Sequence, residues 1–578
     1  MALVLLSVVA AGAEALGAAA LYGFIRIVAE PAAAFAVPLV GTLLAPLRGA
    51  GDRAVVIAAT LAPVAFHLAK NGFLAALAWR QHGWAAHARA ALARRVFEGY
   101  LGAPWAFRLQ RNSAELIRNV TTAVDAIFRH VLAPAVVLAT ESLVVLAITA
   151  VLFATAPGLT LAVVVGIGGT GAVLLAFTRA RSIRWGGQIL RLEREVLQGV
   201  QQTLGAAKEI RMLGREGFFL AEFAQRQNAL VAVRRRGDLV GTMPRLLVET
   251  VFVLSALGLV LLATLLGHTG HELVPLLGLY AYAGFRLVPS ANRWMLSVNE
   301  VRMGAASVNA VAADLERLAE IHLALDGPAD PLPFAQSLEL DHVEFTYEGA
   351  DRAALRDVCL TIRRGESIGV VGPTGSGKTT LVDVLTGLLA PTSGRVLVDG
   401  QPVSATPRAW QQTIGYVPQT VVLVDDSLRR NVALGVPERE IDEVRLAAAI
   451  EMAQLGEFVS GLPDGLETTV GENGVRLSGG QRQRVGIARA LYHSPSILVF
   501  DEATSALDNH TEAALLGAIE GLRGTRTLIV VAHRLSSVRP CDRLVLLADG
   551  RVAAVGRYDD LLRDSPDFRR LAKAGSAA

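Results

Sequence analysis

Through the first half of the chain, apolar positions gather into six long runs, at residues 2–28, 54–79, 131–156, 159–178, 241–266 and 273–296. A helix needs roughly 20 mostly apolar residues to cross the hydrocarbon core of a bilayer, so each run predicts a membrane-spanning helix. The first run is too long for a signal-peptide core and has no basic lead-in, so it reads as a retained span. Links between the runs alternate in length. The short ones cover 31–53, a turn near Pro157, and 268–272, whereas 80–129 and 179–245 are long. The long links carry eight Arg and thirteen Lys+Arg, while 31–53 carries two basic residues and 268–272 none. An excess of basic residues marks the cytoplasmic side, so the long links and the second half of the chain are expected there, in a multi-pass protein of the cell (inner) membrane. Residues 88–100 and 182–202 stay helix-friendly, which predicts helices continuing beyond the bilayer as stalks.

From Leu338 the pattern changes to short β-rich apolar runs bounded by turn residues, and Asp326-Gly-Pro-Ala-Asp-Pro-Leu-Pro333 forms a Pro-rich joint just before it. The expected organisation is an α-helical membrane domain at 1–325, a linker at 326–337, and an α/β domain at 338–578.

Composition sharpens this division. Of 578 residues, 52% are hydrophobic and 19% charged, and mean hydropathy is +0.43, which excludes a disordered chain or an ordinary soluble multidomain protein. The net charge of +3 conceals +10 over residues 1–320 and −7 over the remainder. The basic surplus lies between apolar spans, so nucleic acid is not an expected partner. The two cysteines, Cys359 and Cys541, stand apart in the second half and read as reduced core thiols without a disulfide or metal pattern.

Six ionisable residues fall inside the runs: Glu14, Lys70, Glu141, Glu249, Arg286 and Arg293. Such groups are costly in lipid and face a bundle interior or an aqueous cavity. Three acids against three bases admits mutual pairing, and Arg245 stands four residues before Glu249, a spacing that lets the two pair on one helix. The functional reading makes Lys70, Arg286 and Arg293 a basic lining for an anionic substrate head group.

In the second half, Gly372-Pro-Thr374-Gly375-Ser376-Gly377-Lys378-Thr379 follows an apolar strand at Ser367–Val371 and opens a helical run at Thr380. This is the strand–glycine loop–helix pattern of a phosphate-binding P-loop. Glycines let backbone N–H groups wrap phosphates, and the helix N-terminus adds a favourable dipole. Lys378 reaches the β/γ-phosphates and the Thr379 hydroxyl is placed for Mg²⁺. A second apolar strand at 497–500 ends in Asp501-Glu502, and a third, Thr527–Val531, ends at Ala532-His533. Ligands of doubly wound sheets bind beyond the C-terminal strand ends. Asp501 therefore becomes a candidate Mg²⁺ group and Glu502 a candidate general base.

Leu477-Ser478-Gly479-Gly480-Gln481, just upstream, resembles the signature motif of ATP-binding cassette (ABC) proteins. Further pieces stand in that family's order. Tyr347 resembles the adenine-stacking aromatic, and Gln419 the Q-loop glutamine that touches Mg²⁺. Thr469-Val-Gly-Glu-Asn473-Gly resembles the exporter X-loop, with Asn473 where Arg or Gln is common. Asp508 falls in the D-loop match and His533 is similar to the switch histidine. The resemblance covers 338–565 and implies ATP and Mg²⁺ as ligands. It also implies that Ser478–Gln481 complete the site of a second copy, so that a homodimer with two working sites is the expected assembly.

Span order and the C-terminal cassette resemble ABC exporters, in which coupling helices are expected near 103–113 and 206–215. The stretches Phe97-Glu-Gly-Tyr-Leu with Asn112–Asn119, Lys208–Arg215 and Ala283–Arg293 resemble PglK-type lipid-linked oligosaccharide flippases. This implies ATP-driven flipping of an amphipathic, anionic lipid. The competing reading is multidrug or peptide export, which an aromatic-rich cavity would favour; aromatics make up only 6% of the chain.

Overall fold

The computed structural model describes residues 52–155, 157–265, 270–320, 330–502, 523–532 and 534–576, with isolated positions between 6 and 27 and at 517 and 521. The first expected span, the 31–51 link, Glu14, Asp508 and His533 lie outside the described residues, as does the Arg286 side chain.

The chain divides into two compact units, one of residues 1–103 and 110–323, the other of 104–109 and 324–578. Long helices build the first: α1 (Asp52–Gly102), α2 (Trp105–Leu109), α3 (Ser113–Arg118), α4 (Ala133–Thr155), α5 (Pro157–Gly205), α6 (Ala207–Leu213), α7 (Glu216–Leu265) and α8 (Gly270–Glu320), with α2 itself grouped in the second unit. Between α3 and α4 the helix runs on through two π turns, Asn119–Ala123 and Phe128–Leu132. Among the described residues, three helical stretches are long and apolar enough to cross a membrane: Arg53–Gly102, Ser113–Ala150 and Glu216–Gly258. Residues 88–100 of α1 and 182–202 of α5, the helix-friendly stretches, are helical. The short helices α2 and α6 fall where coupling helices were expected, and α6 closes on Gly214 in the left-handed conformation.

Large apolar side chains such as Leu146, Phe177, Leu257 and Leu265 stay more than 60% exposed, which suits helices solvated by lipid rather than water. Packing between helices uses polar links as well. Trp294 Nε1 donates to Ser142 Oγ at 2.9 Å, and Thr178 Oγ1 donates to Asn299 Oδ1 at 3.2 Å. Where α1 ends, Asp314 of α8 accepts from Tyr100 and from Asn119 Nδ2 at 2.8 Å, and pairs with Arg111 at 2.9 Å. Arg118 extends this network by donating to Asn119 Oδ1 at 2.7 Å and to the Leu190 carbonyl of α5 at 3.0 Å.

The second unit holds two sheets. Strands β1 (Ser337–Phe345), β2 (Leu355–Arg363), β4 (Ser393–Val398) and β5 (Gln401–Pro402) form an antiparallel sheet in the order β2-β1-β4-β5. Strands β3 (Ser367–Val371), β6 (Ile414–Val417), β7 (Ile497–Asp501), β8 (Thr527–Val531), β9 (Arg543–Ala548) and β10 (Arg551–Gly556) form the other, ordered β10-β9-β3-β8-β7-β6. All its pairings are parallel except β10 with β9. Every residue of β3, β7 and β8 is buried, as strands covered on both faces require. Helix α9 (Lys378–Leu385) and Trp410 help fill one apolar cluster; α10 (Glu443–Met452) and α11 (Gly479–Tyr492) contribute to the other.

Two expectations are corrected. Cys541 is substantially buried, and burial pushes its thiol up to about 12, but Cys359 is exposed. Strand alternation explains it: Val358 and Leu360 take the inner face of β2 and leave position 359 outside. Arg245 and Glu249 do not pair; both are exposed on α7.

Candidate nucleotide-binding site

The site grows from the edge where β3, β8 and β7 end together. Pairing places Val370 beside Val531, and Val531 beside Asp501, so three parallel strands deliver their following residues to one rim. Beyond β3 the chain turns through Gly372–Gly377 into α9. Only glycine serves at two of these positions. A Cβ on Gly372 would lie 2.2 Å from the Leu547 carbonyl oxygen, and one on Gly377 would lie 2.7 Å from that of Ala354, at a backbone φ of 100°.

Lys378 begins α9 almost wholly buried, and its ammonium donates to the carbonyls of Gly372 and Pro373, both at 3.0 Å. The amine thus arches back over its own loop. Burial lowers its pKa, while Glu502 and Asp501 oppose that shift. The Ser376 hydroxyl is buried with no hydrogen-bond partner, while Thr374, Gly375 and Thr379 face outward. A glycine cradle with an orphaned hydroxyl and a lysine fits a nucleotide's phosphates. Thr380, next in α9, is buried, and its hydroxyl lies 3.0 Å from that of Tyr347. Tyr347 in turn meets Phe345 edge to face at 4.9 Å.

At the end of β7, Asp501 is buried and accepts from Tyr416 Oη at 3.2 Å. Glu502 follows at a φ of 52°, its N–H bonded to the Val531 carbonyl at 3.0 Å. Gln419 Nε2 donates to Glu502 Oε2 at 2.6 Å, which joins the glutamine after β6 to the carboxylate after β7. The oxygens of Thr379, Gln419 and Asp501 are a hard donor set suited to Mg²⁺.

Two neighbours carry no sequence motif of their own. Tyr416 is held in its neutral form by burial and by Asp501. Asp383 of α9 is buried, and its carboxyl is pushed up to about 6, first by burial and then by the Asp501 charge. A lone acid on an otherwise apolar turn, five residues after the P-loop lysine, was the available signal for Asp383.

The signature residues stand apart. Ser478 caps α11 in a reciprocal capping box: Gln481 N–H donates to Ser478 Oγ at 3.2 Å, and Ser478 N–H donates to Gln481 Oε1 at 2.8 Å. No described hydrogen bond links Ser478, Gly479, Gly480 or Gln481 to the Gly372–Thr380 cradle. In the helical unit, Arg293 pairs with Glu141 at 2.6 Å, and Lys70 lies half-buried on α1. An apolar crevice of about 650 Å³ between α4, α5 and α8 is lined by Val145, Thr149, Gly168, Leu287 and Trp294, and neither Lys70 nor Arg293 faces it.

A P-loop ATPase cassette on the same chain as a set of apolar spanning-length helices defines an ATP-driven membrane transporter. Residues 355–505 match the family described as "ABC transporter". The "ATP-dependent lipid A-core flippase" of Cupriavidus metallidurans is 35% identical over 477 residues, 81% of this chain and 78% of that protein. The protein of the same name from Ralstonia nicotianae is 33% identical over 82% of this chain and 79% of its own length. A solved structure, "Structure of a bacterial Atm1-family ABC exporter with ATP bound", superposes with a TM-score of 0.82 over 100% of this chain and 98% of that one, at 24% identity. The chain belongs to the ABC transporter family: it is a half-transporter of exporter fold, and it couples ATP hydrolysis to transport.

Proposed function

We propose that two copies of this chain form a homodimer in the cell (inner) membrane, cassettes on the cytoplasmic side, that flips an amphipathic, anionic-headed lipid by alternating access. Supporting the lipid class are the relatives named lipid A-core flippases, and supporting the cytoplasmic placement of the cassettes are the basic residues of the long links. Supporting the dimer is the signature turn, complete and capped yet unconnected to its own P-loop, as befits a donor to a partner's nucleotide.

The observation that carries the reading is the junction of Gln419, Glu502 and buried Asp501 at the rim beside Lys378. In the proposed cycle the Gly372–Gly377 amides, Lys378 and Thr380 hold the phosphates, Tyr347 stacks on the adenine, and the partner's signature turn closes over the γ-phosphate. Mg²⁺ held by Thr379, Gln419 and Asp501 would neutralise phosphate charge. Glu502 takes the proton of the attacking water, with His533 and Asp508 completing the site. Nucleotide binding closes the cassettes and turns the cavity outward; hydrolysis resets it.

The test is ATPase activity of the full chain in lipid nanodiscs, with and without lipid A-core glycolipid, using Glu502→Gln as the blank. The expected results are stimulation by the anionic glycolipid, and a variant that binds ATP but turns over at least about 100-fold more slowly. Wild-type turnover in Glu502→Gln would remove its role as base. Stimulation by uncharged hydrophobic drugs alone would replace lipid flipping with multidrug export.

A further inference from the structure

Away from the nucleotide site, the edge of the antiparallel sheet gathers three metal-ligating side chains from two strands. A ring nitrogen of His342, a carboxylate oxygen of Asp357 and the Cys359 thiol lie within 4.8 Å of one another, all exposed. We propose that His342, Asp357 and Cys359 form a surface site for a thiophilic divalent transition ion of the Zn²⁺ class.

Two consecutive bulges flank the cluster. Leu340 pairs with Leu360 and Val343 with Val358, so Asp341 and His342 together oppose Cys359 alone. Val343 with Val358 is followed by Phe345 with Leu355, so Arg356 and Asp357 together oppose Glu344. One extra residue thus enters each strand. The bulged residues His342 and Asp357 are both left-handed, at φ 49° and 50°. Successive side chains on a strand alternate between faces, which puts Asp357 and Cys359, two apart on β2, on the outer face together; the bulge in β1 turns His342 to that same face. His342 Nδ1 meets Asp357 Oδ1 at 2.5 Å, a contact that already fixes the ring.

The donor types decide the ion. Thiolate, imidazole and carboxylate together suit Zn²⁺ and its neighbours and disfavour Mg²⁺ or Ca²⁺. Tetrahedral bonds of about 2.0–2.3 Å put ligand atoms roughly 3.3–3.8 Å apart, so the thiol closes by about an ångström while the His342–Asp357 contact opens by about as much, both within reach of exposed side chains. Three protein donors leave the fourth position for water. A shallow crevice of about 520 Å³ lined by Glu339, Asp341, Cys359 and Thr361 gives access, and its carboxylates favour a cation. Binding releases the thiol proton and ties β2, the edge strand, to β1.

The test uses the untagged full chain in nanodiscs. Micromolar Zn²⁺ should slow maleimide labelling of Cys359 at least tenfold, while buried Cys541 labels slowly throughout. Co²⁺ should give a thiolate charge-transfer band that Cys359→Ser abolishes. His342→Ala and Asp357→Asn should each raise the zinc concentration for half-protection at least tenfold. Equal protection in those two variants, or no cobalt–thiolate band in the wild type, overturns the site.

Discussion

Replacing Asp314 tests the polar network of the helical unit most severely. Its side chain is 3% exposed, accepts from Tyr100 and Asn119, and pairs with Arg111, itself only 16% exposed. Asp314→Ala leaves a nearly buried guanidinium without its closest counter-charge; the next carboxylate, Glu115, is 3.6 Å from it. It also removes the carboxylate acceptor of the Tyr100 hydroxyl and the nearer acceptor of the Asn119 amide, which keeps Tyr100 Oη at 3.3 Å. Breaking a buried pair by removing one partner costs about 3–5 kcal/mol, and for a large unit this lowers the melting temperature on the order of 10 °C. Asp314→Asn keeps the shape and an acceptor but not the charge, so its cost should be about half. The assay is thermal unfolding of the nanodisc-embedded chain, with ATP added in parallel: the transition that ATP raises belongs to the cassette, and the other to the helices. A helical transition shifted by less than about 1 °C in Asp314→Ala would show that water already solvates these groups and would refute the argument.

Gly377→Ala should abolish ATP binding in a fluorescent-nucleotide titration while the cassette stays folded, because the new Cβ meets the Ala354 carbonyl at a φ of 100°; wild-type affinity would contradict the cradle. Asp383 predicts a pH dependence. Its carboxyl titrates at about 6 in the folded cassette and at about 3.9 unfolded, so the native state holds the extra proton between those values. Cassette stability should therefore fall as pH rises from about 4 to 6, by up to about 3 kcal/mol, and Asp383→Asn should flatten that slope; the same slope in the variant would sink the assignment. For Glu141 and Arg293, either single change to Met should lower the helical melting transition more than the double change does. The coupling should be about 1 kcal/mol given the half-exposed arginine, and simple additivity would show the pair contributes nothing.

Much of the cassette was legible because its chemistry is local in the chain. A glycine loop between a strand and a helix, two carboxylates at a strand end, and a capped Ser-Gly-Gly-Gln turn each need only adjacent residues, and the structure places them on the predicted elements. Apolar runs of membrane-spanning length likewise announce helices, since lipid leaves the backbone no other partner. Pairing across elements was not legible. Nothing local says that Gln419 meets Glu502, that Tyr416 meets Asp501, or that Arg293 takes Glu141, whereas Arg245 and Glu249, four residues apart, ignore each other.

By itself, then, the sequence determined where the glycine loop and its lysine fall, which segments are apolar enough for lipid, and the order of the two halves, because hydropathy and motif chemistry act over one element at a time. Only the tertiary structure decided which distant groups share a site. Strand order set β8 between β3 and β7, helix packing buried Asp314 among three donors, and a single-residue bulge in β1 turned His342 outward beside the exposed Cys359, seventeen positions away. Such outcomes depend on register, where a shift of one residue moves a side chain to the opposite face, and no local pattern along the chain encodes it.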